Sequence, residues 1–387
     1  MKKPTLRILA PVAAVLAAIS LAACSSSGNA IPGVTITEKP APANPVASIQ
    51  DGASNVNPNT AVSVRPMEGN LTDVTMTNED GKVVDATLAA DGSTWQTNEE
   101  LGYGRTYTIV AHNSAGGAMT STFTTINPAA QASVALSPLA DSTVGIGQTI
   151  HFRFSQAIPD REAAQKSIEI TTNPPVEGAF YWVSNQEIRW RPAQYWTPGT
   201  QVTVKVHNYG TDLGDGVYGG DDNETNFTIG DAVISTVDDS NKIITVTKNG
   251  EVVKTMPTSM GNAQNPTPNG VYTVGDRYDS IVMDSSTFGL AVDAPGGYRS
   301  NVQYATQLSY SGIFVHSAPW SVWAQGNTDT SHGCLNVSPE NAKWFLDFSK
   351  RGDLVVVSGT QGGTLSGTDG LGDWNIPWET WKAGNAT

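Results

Sequence analysis

The chain has 387 residues, with 36 acidic against 22 basic side chains and a formal net charge of −14. That balance argues against binding nucleic acid or anionic lipid through a basic patch, and the 38 Gly and 22 Pro, set among many Thr and Val, favour β-structure with frequent turns. No phosphate-binding loop, dinucleotide fingerprint or zinc-type cysteine pair occurs, and with five His and two Cys a soft-metal site is not expected.

Lys2, Lys3 and Arg7 precede an apolar run over residues 8–23, and Cys24 follows. A basic head, an apolar centre and small residues before a cut describe a signal peptide over residues 1–23. The run is too short and too Ala-rich for a permanent span, which needs about 20 apolar residues. The boundary Leu21-Ala22-Ala23-Cys24 resembles the lipobox of bacterial lipoproteins. That resemblance implies cleavage before Cys24 and its acylation, and several acyl chains anchor a protein stably where one is marginal. The alternative is an ordinary secretory leader with an incidental cysteine. Residues 24–47 are mostly Ser, Gly, Ala, Pro and Asn; they cannot bury enough surface to fold and read as a tether that lifts the folded part into the cell wall.

The remaining length, about 340 residues, suits two or three domains. Trp95, Leu101, Gly104, Tyr107 and Ile109 recur as Trp190, Trp196, Gly199, Val202 and Val204, each 95 positions later, and residues 106–110 and 201–206 both alternate as strands do. Two β-sandwiches are predicted, over residues 48–127 and 128–230, and they resemble bacterial immunoglobulin-like domains. No disulfide is available to either, so Trp95 and Trp190 are the expected core centrepieces. His112, His151 and His207 fall in these domains and are expected to be structural. Asp212, Asp215 and Gly216, with Asp221 and Asp222 nearby, put oxygen ligands on a Gly-rich loop that calcium favours. The pattern is not that of an EF-hand, and a solvated acidic loop is the expected reading, with structural calcium the alternative.

A third unit is predicted over residues 231–358. Residues 232–237, 242–247 and 251–256 read as strands, the last two joined by the hairpin signal Asn249-Gly250. A further strand covers residues 271–274. Ser338 is a good N-cap, Pro339 suits the first helical position, Gly352 is the expected C-terminal stop, and Ala342, Phe345, Leu346 and Ser349 share an inner face. The tail, residues 359–387, carries Trp374, Trp378 and Trp381. These indoles are expected to pin it to a neighbouring domain, and a glycan-stacking surface is the alternative. The fold class is therefore mainly β and multidomain: two sandwiches, then a β-rich domain with one helix.

The chemistry concentrates in Ser331-His332-Gly333-Cys334-Leu335-Asn336, with His316 18 residues before the cysteine. Ile313-Phe314-Val315 places His316 at a strand end, and Cys334 sits on a turn leading to the helix. A nearby imidazole is expected to lower the thiol pKa and then donate a proton to a leaving amine. The Gly333 and Cys334 N–H groups are candidates for an oxyanion hole. His332 is either a second base or, as we expect, a brace on the turn through hydrogen bonding.

His316-Ser317-Ala318-Pro319-Trp320 followed by Ser331-His332-Gly333-Cys334-Leu335-Asn336 resembles the signature of the L,D-transpeptidases, cysteine enzymes that cross-link peptidoglycan. With the lipobox, the two sandwiches and the Trp-rich tail, the likeness to the mycobacterial-type enzymes covers nearly the whole chain. It implies that Cys334 attacks a diaminopimelate carbonyl in a tetrapeptide stem and that His316 is general base and acid, oriented by the Ser317 carbonyl. It further implies acylation by carbapenems, and no cofactor. Substrate contacts implied by the family are Tyr298, Ser311, Gly312, Ser331 and Asn336, with Met283 and Trp320 lining the pocket and residues 280–303 forming a mobile lid. Two other readings remain: a cell-wall hydrolase or L,D-carboxypeptidase in which water replaces the acceptor amine, and a non-catalytic wall-binding lipoprotein.

Overall fold

The computed structural model describes residues 40–289, 291–294, 297–384 and 386. The leader, Cys24 and the tether up to residue 39 lie outside the described residues, as do Pro295 and Gly296 of the expected lid.

The first sandwich begins inside the stretch assigned to the tether, because Val46–Ala47 pairs with Ser63–Arg65. That sheet continues through Trp95–Thr97 to Ala86–Leu88 and faces a second sheet ordered Ala53–Val56, Ala118–Thr125, Thr106–Asn113, Leu71–Asn78. Buried Trp95, Leu101 and Ile109 fill the space between them, with Tyr107 stacked on Phe123 at 5.5 Å. The second sandwich pairs Val134–Ser137, Ile150–Phe154, Glu187–Pro192 and Gly178–Trp182 against Ser142–Val144, Asn223–Ile229, Gln201–Val206 and Ile168–Asn173. Trp190 and Trp196 lie 5.5 Å apart in its core with Val202 and Val204. Residues related by the 95-position shift thus occupy both cores. Burial alternates residue by residue along Gln201–Val206, as a sheet with one wet face requires.

The third unit has two sheets. One is ordered Glu251–Pro257, Ile243–Lys248, Val233–Asp238, Leu354–Ser358, Gly270–Thr273; the other Arg277–Asp284, Arg299–Gln307, Phe314–Ser317, Leu335–Val337. Asn249 and Gly250 both take positive φ, 53° and 87°, as a two-residue hairpin turn demands. Helix Pro339–Phe348 starts at Ser338, whose side chain accepts the Asn341 N–H, and buries Ala342, Phe345 and Leu346. Gly352 does not stop it. The helix ends on extended Ser349, and Gly352 instead lies against the second sandwich, where a Cβ would come within 2.8 Å of Gln148. Its carbonyl accepts the Gly147 N–H across that junction at 2.8 Å.

The tail is pinned rather than displayed. Trp381 is fully buried, donates to the Ala179 carbonyl at 2.8 Å and stacks on Tyr181 of the second sandwich. Trp374 donates to the Gly147 carbonyl. The Arg191 guanidinium lies 4.6 Å from the rings of Trp374 and Trp381 and 5.3 Å from that of Trp378, so the indoles pack around a cation of the second sandwich. Burial pulls Arg191 down to about 10. Beside it, buried Asp373 accepts from Arg189 at 2.6 Å and from Thr149 at 2.7 Å. His151 lies in the same cluster, where burial, with Arg189 nearby, holds it well below its ordinary pKa and so neutral.

Asp212 accepts from the Gly214 N–H and the Tyr218 hydroxyl of its own loop. Asp215 and Gly216 form the turn of this loop, with Asp212 bridged to Tyr218, and among the described residues no three His, Cys, Asp or Glu side chains converge on one point.

Candidate active site

Strands Phe314–Ser317 and Leu335–Val337 run parallel, with Val315 opposite Leu335, His316 opposite Asn336 and Ser317 opposite Val337. A parallel pair needs a long crossover, and residues 318–334 are that crossover. Because side chains alternate, Val315, Leu335 and Val337 point into the main core. His316, Asn336 and, two residues before it, Cys334 share the other face. One register therefore assembles the three groups.

They line a single pocket with Met283, Tyr298, Ser300, Val302, Trp320, Thr330, Ser331 and His332. Ser300, Val302 and Thr330 were not foreseen. The first two follow from Tyr298 at period two along Arg299–Gln307, a signal present in the sequence. The expected lid is a hairpin of Arg277–Asp284 with Arg299–Gln307, and its Met283, Tyr298 and Val302 pack on Cys334. Ser311 and Gly312 sit on the turn beside the pocket: exposed Ser311 donates its N–H to Asp369, and the Gly312 carbonyl accepts the Cys334 thiol.

His316 is 4% exposed, and its Nδ1 lies 3.0 Å from the Ser317 carbonyl. A carbonyl only accepts, so Nδ1 carries the proton and Nε2 keeps its lone pair. The Trp320 ring lies 6.1 Å away, half exposed at the rim.

Four expectations are corrected here. Cys334 is not a resting thiolate: burial pushes the thiol up to about 12, and the Phe314 backbone opposes this only in part. Burial likewise lowers His316, so the resting pair is neutral thiol and neutral imidazole. The sulfur donates to the Gly312 carbonyl at 3.4 Å, not to a histidine. The Gly333 N–H is not a ready oxyanion donor either, since the Ser331 hydroxyl accepts it at 3.1 Å, which leaves the Cys334 amide of the two expected. Nor does His332 brace the turn through a hydrogen bond; it is exposed, its ring 5.2 Å from that of Tyr298. The bracing falls to Ser331, which also donates to the Cys334 carbonyl at 2.7 Å, and to Thr267, which donates to the Gly333 carbonyl at 2.7 Å. Thr267 had no signal beyond lying in a Pro-rich loop. Gly333 itself has φ +117°, where a side chain is strained, and an added Cβ would meet Ile313 at 2.8 Å.

A tautomer-locked imidazole on one strand and a thiol at the entrance to the strand beside it, roofed by an apolar hairpin, define a cysteine enzyme of acyl transfer. Residues 232–357 match the family described as the L,D-transpeptidase catalytic domain, and residues 53–212 match the bacterial Ig domain. Over 377 residues, 95% of this chain and 92% of the relative, the sequence is 54% identical to L,D-transpeptidase 2 of Mycobacterium tuberculosis (strain CDC 1551 / Oshkosh). It is 32% identical to L,D-transpeptidase 5 of Mycobacterium tuberculosis (strain ATCC 25618 / H37Rv) over 96% of this chain and 83% of that one. A solved L,D-transpeptidase in complex with imipenem, 37% identical, superposes with a TM-score of 0.53 over 58% of this chain and 99% of its own. The chain belongs to the L,D-transpeptidase family.

Proposed function

We propose that this enzyme exchanges amide bonds between peptidoglycan stems, on the strength of the register that sets Cys334 and His316 in one pocket. Substrate entry lifts the hairpin from the sulfur. Sγ turns from the Gly312 carbonyl toward Nε2 of His316, which takes its proton. The sulfur bonds to the diaminopimelate carbonyl carbon of a tetrapeptide, the C–N bond to the terminal D-Ala breaks, and the imidazolium proton goes to the departing amine. A side-chain amine of a second stem then attacks the thioester and gives its proton to His316, which returns it to sulfur, leaving a 3→3 cross-link. One amide replaces another, so the stoichiometry needs no cofactor. Carbapenems acylate the same sulfur by ring opening.

Intact-protein mass spectrometry after carbapenem addition tests this: one adduct is expected on the wild type and none on Cys334→Ala. An adduct that survives in the variant would place the nucleophile elsewhere.

The leader sequence supports a second proposal, that acylated Cys24 anchors the protein on the outer face of the plasma membrane, with the sandwiches as spacers in the envelope. Cys24→Ala is expected to move the protein from the detergent phase to the aqueous phase on partition. Retention in the detergent phase would refute the lipid anchor.

A further inference from the structure

The tail crosses the catalytic domain before it reaches the second sandwich. It is tied at Asn269, which bonds Gly363 and Leu365, and at Thr273, whose N–H donates to the Leu371 carbonyl at 2.9 Å. Between these ties lies Asp369, beyond the residues matched to the catalytic family. Its two carboxylate oxygens accept consecutive backbone N–H groups, from Tyr310 at 2.8 Å and from Ser311 at 3.0 Å. The next residue is Gly312, with φ +98°, whose carbonyl accepts the Cys334 thiol. The one after is Ile313, which packs where a Gly333 Cβ would sit. Ser309 closes the turn by accepting the Ile313 N–H at 2.8 Å. On its other side the tail is held from the sandwich, where Arg189 donates to the Gly370 carbonyl at 3.0 Å. A Cβ on Gly370 would overlap the Tyr310 ring at 2.0 Å, so tail and turn are in close contact.

We propose that Asp369 is a positioning residue for acyl transfer: by clamping the Tyr310 and Ser311 amides it holds the Gly312 carbonyl against the nucleophilic sulfur and thereby makes the tail part of the active-site wall. This rests on the acyl-transfer reading of Cys334. Charge-assisted bonds to two adjacent amides are among the stronger backbone clamps. Without them the turn loosens, the thiol loses the acceptor that favours its protonated form, and water reaches the sulfur. The reacting atom is then misplaced and at the same time easier to ionise.

The test uses the folded chain with Asp369→Ala and Asp369→Asn, and exposed Glu379→Gln in the same tail as a control. Two readouts are taken: the rate of carbapenem acylation, and the pH profile of Cys334 alkylation by iodoacetamide. Asp369→Ala is expected to slow acylation about tenfold and to shift the alkylation profile to lower pH, with Asp369→Asn, which keeps one acceptor oxygen, in between and Glu379→Gln like the wild type. Both effects together are required. Unchanged acylation, or slowed acylation with an unmoved alkylation profile, overturns the proposal, the latter showing a loss of stability alone. Failure of the wild type itself to acylate would instead refute the acyl-transfer reading, which alkylation does not depend on.

Discussion

Replacing His316 with Gln is expected to slow carbapenem acylation by about 10²–10⁴-fold, the range a positioned general base supplies. The reason lies in the resting ionisation. With the thiol raised to about 12, folded wild-type Cys334 carries almost no thiolate at neutral pH, so attack needs a partner that accepts its proton as the S–C bond forms. Burial lowers the His316 pKa, so the ring is already neutral and able to accept at pH 7. The wild-type rate should therefore climb as the ring loses its proton on the acid side of neutrality, then stay level over roughly pH 7–9. The variant has only spontaneous ionisation to rely on, and its residual rate should rise about tenfold per pH unit toward the thiol pKa. Stopped-flow acylation across this range decides the matter. A variant within threefold of wild type, or one that keeps the plateau, would remove His316 as the base.

Truncating Trp381 to Ala is expected to cost about 3–5 kcal/mol, as for other fully buried aromatics. The indole is wholly covered although it belongs to the tail and its surroundings to the second sandwich. Its loss opens a cavity, strands the Ala179 carbonyl and takes one ring from Arg191, which is itself buried. An Arg with one face of its enclosure removed stays desolvated without full compensation. Guanidinium unfolding followed by tryptophan fluorescence should show a lower midpoint. A change under about 1 kcal/mol would mean that the tail is only laid on the surface.

The parts of this enzyme that were legible in its sequence are those governed by local periodicity. Alternation along Gln201–Val206, the Asn249-Gly250 turn and the Ser338-Pro339 start each report a backbone preference that acts over a few residues. The His316 to Cys334 interval was legible only as a stretch long enough to fold back and bring the two side chains together; that the strands at its ends pair in parallel, with this stretch as their crossover, was not. Nor was the role of Arg191. In sequence it is one charge on an alternating strand, and its aromatic enclosure arrives from residues nearly two hundred positions later. Thr267 and Asp369 were hidden for the same reason, since each acts on a backbone group of a segment remote in the chain.

Sequence by itself determined the identity of the reactive groups, the strand and turn grammar, and the three-unit order with a tail. Tertiary structure decided their state. The apolar hairpin over Cys334 keeps the thiol protonated, because desolvation disfavours the ion and the Phe314 backbone offsets this only in part. The Ser331 hydroxyl takes the Gly333 amide, and the tail joins the active-site wall, because buried backbone groups take whatever partner the packed fold supplies.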